Sequence, residues 1–378
     1  MAALLHLLKA LAYQVHVVIF STRKHPFSID NVPETLRKSF DWHPIELDTT
    51  IRPLAALQHL FTGQSYILQR FVDEEVQKKL EEVTHAYSFD LVHLESLFTL
   101  PYAPLLKKAT GAPVIYRAHN VEHHIWQRLQ RETRQPFKKW YLLREAKKLQ
   151  QSETYWIRQC DGILAISPTD TTWFASHFPS IPTLDLPVPV TLPEERTAAS
   201  NRLPRVFHLG AMDWAPNQAA VQWLLDAIWP RVRAAVPEAQ LHLAGRHMPK
   251  RLLQQAAPGI HVQREVPDAK AYMAQHDILI VPLQSGSGLR IKILEAMAMG
   301  KAVVTTPQGL AGIPAEPGAT VLVGEDAEAL ARHLIRLLQE PGIAHALGAR
   351  AREWVVDRYH PDTISAQLAA FYQKQLMA

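Results

Sequence analysis

Short runs of β-branched and aliphatic residues recur along this 378-residue chain, each separated from the next by a stretch of helical periodicity. Few folds are open to such a pattern, because strands that alternate with helices pair in parallel and take helices on both faces of the sheet. In the first half the strand candidates are Val15 to Ser21, Leu91 to Leu94, Val114 to Arg117 and Gly162 to Ser167. The second half offers Val206 to Gly210, Leu241 to Gly245, Ile278 to Pro282 and Val303 to Thr306. Between the two series Leu184 to Arg205, LDLPVPVTLPEERTAASNRLPR, is rich in proline and polar side chains and reads as a linker. The expected fold class is α/β with two parallel-sheet domains, whose ligands sit beyond the carboxyl ends of the strands.

The stretch Gly286 to Gly300, GSGLRIKILEAMAMG, lies between two apolar runs, so a glycine-rich turn opens a helix between two strands. Gly288, Lys292 and Glu295 are spaced by four and three residues and are expected on one face at the amino end of that helix. Unpaired amides there, with the positive pole of the helix dipole, suit a phosphate. Gly286, Ser287, Gly288 and Leu289 are candidate binding residues. Lys292 would add a point charge, and Glu295 could accept hydrogen bonds from ribose hydroxyls. The arrangement describes a nucleotide diphosphate site. The alternative is a plain crossover whose glycines only make the turn. A dinucleotide fingerprint fits poorly, since Ile291 occupies the third glycine position, and no phosphate loop ending in Gly-Lys-Ser/Thr occurs.

The same run, with LEAMAMG from Leu294 to Gly300 and VVTT following, resembles the donor-nucleotide segment of glycosyltransferase family 4, whose members adopt the two-domain GT-B fold. HLGAMDWAPNQAAVQWLL, His208 to Leu225, is similar to the start of the C-terminal domain in a subset of that family. VIYRAHNVEHHIWQRL, Val114 to Leu129, resembles a segment in which a histidine at the position of His119 approaches the donor sugar. The resemblance implies two Rossmann-like domains facing each other across a cleft. Residues 1–190 would form the acceptor side and 200–359 the nucleotide-sugar side, with residues 360–378 packing back on the N-terminal domain. It implies transfer of a sugar, with retention, from a nucleotide diphosphate sugar to a glycan or lipid-linked acceptor, in cell-surface polysaccharide biosynthesis. His119, Lys292 and Arg290 are then the catalytic candidates. The nucleotide sugar is a co-substrate and no cofactor is expected. With no Asp-x-Asp motif in the chain, no metal is called for.

Other residues carry two readings each. Gly210 suits a chain passing so close to phosphate that a Cβ has no room. Arg246 follows a strand, either to pair with phosphate or as a solvated loop residue. Asn217 opens a helix, or merely caps it. Val266 and Asp268 fall in the loop that often cradles the base. Arg117, His119, Asn120 and Glu122 are expected at the cleft if their strand ends near Arg117, although His119 could equally be a satisfied core histidine. His93, His119, His123 and His124 invite a metal reading, yet adjacent His123 and His124 cannot both reach one ion from a regular helix.

Two departures from the family pattern stand out. Ser287 replaces the usual acidic residue eight positions before Glu295, a weaker partner for the donor hexose. The chain also begins at the helix Leu7 to Ala12, where the family has first a strand and a glycine-rich loop. About twenty residues are absent against that pattern: either the chain start is misassigned or truncated, or the protein does without its first strand, and poor solubility or weak activity is expected of the chain as written. Rival readings are a sugar-nucleotide epimerase on the same fold and a non-catalytic nucleotide-sugar-binding protein.

Composition narrows the rest. No apolar run approaches the roughly 20 residues that cross a bilayer. The amino terminus lacks the basic start and the cleavage site of a signal peptide, so a cytoplasmic location is expected. Cys160 is the only cysteine, which excludes intramolecular disulfides, and it reads as a small buried side chain. The net charge of +4 and pI near 9 permit an anionic partner. Between Arg128 and Arg158 basic residues interleave with Phe137, Trp140, Tyr141, Leu142 and Leu143, so an anionic membrane surface is a further partner, unless those apolar side chains pack into the core. Nucleic acid is not expected, because no recognition motif accompanies the basic run.

Overall fold

The computed structural model describes residues 2–52, 56, 58, 59, 62–190, 203–286 and 288–377. They fall into two units, Met1–Val188 with Ile364–Ala378, and Pro189–Thr363.

The first unit runs through α1 (Ala2–Ala10), β1 (His16–Thr22), β2 (Asp41–Leu47), α2 (Glu74–Ala86) and β3 (Val92–Glu95). It continues with α3 (Ala103–Thr110), β4 (Val114–Ala118), α4 (Glu122–Glu132), α5 (Pro136–Ile157), β5 (Gly162–Ala165), α6 (Pro168–His177) and β6 (Thr183–Asp185). Polar caps mark several starts: the Asp73 carboxylate accepts the amides of Glu75 and Val76 ahead of α2, and Ser167 accepts that of Asp170 ahead of α6. Such caps contribute about 1 kcal/mol each. Strands β3 to β6 form one parallel sheet in that order, and β1 and β2 form a second parallel sheet. Alternation along β4 sends Val114, Tyr116 and Ala118 into one apolar layer and Ile115 into the other. Val18 and Phe20 of β1 join the first layer and Val17 the second, although no hydrogen-bonded ladder links β1 to β3.

The second unit comprises β7 (Val206–Leu209), α7 (Ala215–Trp223), β8 (Leu241–Ala244), β9 (Ile260–Val262), β10 (Ile278–Val281), α8 (Ile291–Ala298) and β11 (Ala302–Thr305). β12 (Leu322–Val323), α9 (Ala327–Gln339) and α10 (Pro341–Tyr359) complete it. Its sheet is parallel throughout, in the order β12-β11-β10-β7-β8-β9. Successive residues of β10 serve opposite layers, Ile278 and Ile280 in one, Leu279 and Val281 in the other. The last helix, α11 (Pro361–Leu376), belongs to the first unit from Ile364 onward. There Ile364, Leu368, Phe371 and Tyr372 pack with Leu4, Leu5, Leu7 and Leu8 of α1.

Each of the eight strand candidates coincides with a strand, with ends displaced by a residue or so. β2, β6, β9 and β12 have no counterpart among them. All four lie at sheet edges and are partly exposed, and β2 contains Pro44, so their apolar alternation is weak. The linker expectation needs correction at its start. Leu184 and Asp185 are strand residues paired with Leu164 and Ala165, and Leu186 and Val190 are buried in the cores of the first and second units respectively. Residues 191–202 of that segment lie outside the described residues.

Candidate functional site

In the second unit the chain runs from β7 to β8 and β9 on one side and reappears at β10 and β11 on the other, so strand order reverses between β7 and β10. Loops leaving the carboxyl ends of two such strands part in opposite directions and leave a crevice, where open α/β sheets bind ligands. Leu209, Gly210 and the loop to α7 leave one side of it, and the glycine segment before α8 leaves the other.

Lys292, the second residue of α8, reaches back across that point. Its ammonium donates to the Leu209 carbonyl at 2.9 Å and to Asn217 Oδ1 at 3.4 Å. Burial, with a smaller contribution from the Arg290 guanidinium, pulls its pKa down to about 7. An ammonium has three donors, and these contacts take two of them. His208 lies buried in β7, with Nδ1 2.8 Å from the Ile280 carbonyl. Burial first, and the Lys292 charge second, hold it near 3, so it is neutral and must carry its proton on Nδ1. Asn217, inside the first turn of α7, donates Nδ2 to the Ala211 carbonyl at 2.8 Å. It does not cap the helix, whose N-cap position is Trp214. The space a side chain at Gly210 would need is held by this amide, 2.8 Å from the position of a Cβ. At Gly245 a Cβ would stand 1.7 Å from the Gly210 carbonyl oxygen, so the chain leaving β8 passes this close to the end of β7 only because residue 245 is glycine.

The glycine segment differs from its expected form. The helix starts at Ile291, so Gly288, at φ +84°, belongs to the preceding loop and does not share a helix face with Lys292 and Glu295. The amides of Ile291 and Ile293 bond to the Leu289 and Arg290 carbonyls, so they are not unpaired donors. Positive charge is delivered mainly by side chains. Arg290 is buried, donates to the Gly288 carbonyl and lies over the Trp214 ring, 5.4 Å from its centroid. Gly286, at φ +109°, passes so close to Trp214 that a Cβ would be 2.6 Å from the ring, and its carbonyl accepts Gln308 Nε2 at 2.7 Å. Leu289 packs on the apolar layer behind the loop. Glu295, one turn beyond Lys292, is half-buried, which raises its carboxyl against the opposing charge of Lys270. Lys292, Arg290, Gly210 and Gly286 are thus brought together around Asn217 and Trp214. Arg246 is exposed, and its carbonyl accepts the Met212 amide at 2.8 Å. Asp268 caps the short helix Ala269–Ala274, and Val266 is half-buried beside it. Ser287 lies outside the described residues.

His119 belongs to the first unit and follows β4. Its Nε2 lies 2.5 Å from Glu95 Oε2, and 42% of its side chain is exposed. Arg117 is buried, not displayed, and donates Nη1 to Glu95 Oε1 at 3.1 Å. His93 Nε2 is 3.7 Å from the same oxygen, and its Nδ1 is 2.6 Å from the Tyr372 hydroxyl on α11. Burial pushes the Glu95 carboxyl up, but the hydrogen bond from His119 and the nearby His93 and Arg117 outweigh it and hold the group well below the carboxylate range. Glu95 and Tyr372 were not among the candidates. The only local signal was the alternation in Val92-His93-Leu94-Glu95, which puts His93 and Glu95 on one face of the strand.

His123 is committed elsewhere: Glu153 accepts its Nδ1 at 2.7 Å together with the amides of Glu122 and His123. Glu122 rises to about 7 through burial and the Glu153 charge. Among the described residues no group of three His, Cys, Asp or Glu is placed to hold an ion. Burial pushes the Cys160 thiol up to about 12. On the hairpin of α4 and α5, Leu142 is buried, whereas Phe137, Trp140 and Leu143 are exposed, Phe137 by 74%.

Residues 203–340 match the family model for glycosyl transferases of group 1. The chain is 31% identical over 175 residues to the phosphatidyl-myo-inositol mannosyltransferase of Mycolicibacterium smegmatis, which is 44% of each chain. It is 30% identical over 164 residues to a GDP-mannose-dependent phosphatidylinositol monomannoside mannosyltransferase of the same organism, 39% of this chain and 43% of the relative. These matches span less than half of either relative. Among solved structures, sucrose-phosphate synthase from Thermosynechococcus elongatus superposes with a TM-score of 0.70 at 18% identity, over 97% of this chain and 90% of that one. HepE of Anabaena, solved with UDP, gives 0.66 at 16% identity over 99% and 96%. The fold is GT-B, with two Rossmann-like α/β units.

Proposed function

We propose that this chain is a family 4 glycosyltransferase that moves a sugar, with retention, from a nucleotide diphosphate sugar to a glycan or lipid-linked acceptor in cell-surface polysaccharide synthesis. The observation that carries the reading is Lys292. A cation in the stretch matching the group 1 transferases bridges the switch point of the sheet, beside Arg290, with a third donor left for a ligand. Two cations at the departing diphosphate stabilise the charge that develops there. They supply it without a bridging divalent ion, and a metal-independent reaction is part of the proposal. The mannosyltransferases above act on lipid headgroups by their names, and HepE was solved with UDP, which supports a nucleotide-sugar donor and a lipid-linked acceptor here.

Among the described residues no helix is long and apolar enough to cross a membrane. A cytoplasmic location with the basic hairpin resting on the inner membrane face belongs to the same reading, supported by exposed Phe137, Trp140 and Leu143 among exposed cations. So does a strand lacking between β1 and β3; what supports it is that Val18 and Phe20 of β1 and Val92 and Leu94 of β3 share one apolar layer, yet the two strands lie in separate sheets.

The test is turnover of a panel of nucleotide sugars, with and without membrane extract and chelator. Chelator-insensitive transfer with the anomeric configuration kept is expected, and Lys292→Ala should lower kcat/KM by about tenfold to a hundredfold, the worth of one charge-assisted contact. Isomerised nucleotide sugar without acceptor would turn the reading to an epimerase, and nucleotide binding without turnover to a binding protein.

A further inference from the structure

We propose that Glu95 is a positioning residue that fixes the tautomer and orientation of His119, with Arg117, His93 and Tyr372 holding the carboxylate in place. β3 and β4 run in parallel with Glu95 opposite Arg117, so the carboxylate stands at the end of the sheet beside the chain leaving β4. One oxygen is taken by Arg117 and approached by His93, and the other faces His119 Nε2 at 2.5 Å. An ionised carboxylate only accepts hydrogen bonds, so Nε2 must carry the proton. Nδ1 is then the nitrogen that a neutral His119 offers to a ligand, and the half-exposed ring leaves it reachable. The Tyr372 hydroxyl on His93 adds a contact from α11, 279 residues away in the chain. The assembly is not a surface ion pair: the Glu95 side chain is four-fifths buried and Arg117 almost wholly so.

That His119 meets the donor sugar rests on the transferase reading; that Glu95 governs His119 does not. The experiment therefore has two arms. Nitrogen-15 NMR of the ring should show the Nε2–H tautomer alone in the wild type and a mixture in Glu95→Gln, because an amide can donate as well as accept. In turnover assays Glu95→Gln should lower kcat by about tenfold to a hundredfold, the usual cost of losing such a partner, with KM little changed. In a His119→Ala background the same substitution should cost nothing further. If Glu95→Gln leaves buried Arg117 uncompensated and fails to fold, Glu95→Gln with Arg117→Met removes both charges and serves both arms. An unchanged tautomer, or an undiminished loss of kcat when His119 is already absent, would overturn the proposal. Should no nucleotide sugar turn over at all, the transferase reading fails while the NMR arm still decides the role of Glu95.

Discussion

At the scale of single residues, Lys292 has the environment with the sharpest consequence. With its pKa drawn down to about 7, the free protein loses that proton as pH rises above neutrality. A bound diphosphate favours the charged form and must restore it. Nucleotide diphosphate affinity is therefore expected to fall about tenfold per pH unit above the pKa. Calorimetry at pH 8 in buffers of different ionisation enthalpy should show close to one proton taken up per ligand, and Lys292→Met should abolish the uptake. Uptake that survives the substitution would remove Lys292 from the diphosphate site. The same group also acts on stability. Between about 7 and the ordinary lysine value near 10, the unfolded chain holds a proton that the folded protein has released, so this contribution rises with pH across that window.

Among the elements, the hairpin of α4 and α5 departs most from what a solvated structure needs. Phe137 and Trp140 are in ring contact, 5.8 Å between centroids, and Arg144 covers the Trp140 ring at 4.9 Å, yet both aromatics remain exposed. Arg128, Arg131, Arg134, Lys138, Lys139 and Lys147 are exposed around them. Each cation contributes about 1 kcal/mol at an anionic bilayer, and an apolar side chain about 1.5–3 kcal/mol when buried. Sedimentation with vesicles should show binding to anionic and not to neutral lipid, weakened as salt screens the charges. Phe137→Ser with Trp140→Ser should lower it by about tenfold or more. Equal binding to neutral vesicles, or indifference to the two substitutions, would leave the hairpin as a solvated one.

For the whole molecule, each unit has its own pair of apolar layers, and Lys292 and its partners lie within the second. Ligand binding stabilises what it binds, by about 2.7 kcal/mol at a hundredfold excess over Kd. With a nucleotide diphosphate at that level, hydrogen exchange should slow in β7, β10 and α8 and stay unchanged in the core strands β4 and β5. Protection confined to the first unit would move the nucleotide site there and undo the reading of Lys292.

The alternation of apolar runs with helical stretches was enough for the parallel sheets and both units, because central strands such as β4, β5, β10 and β11 are buried on both faces and leave unbroken apolar runs. Four of the edge strands, β2, β6, β9 and β12, leave no such trace, and β2 and β12 could be assigned only from their partners. The glycine turn and Lys292 were legible for the same reason, since both lie within one short segment between two clear strands. What joins Lys292 to Asn217, 75 residues away, or Glu95 to His119 and His93 to Tyr372, is the order and register of strands and the return of α11. Periodicity is a property of neighbours in the chain and reports which face of an element is apolar. Which polar groups meet is settled only once separate elements pack, and there the tertiary structure placed a carboxylate behind His119 and an amide in the space beside Gly210.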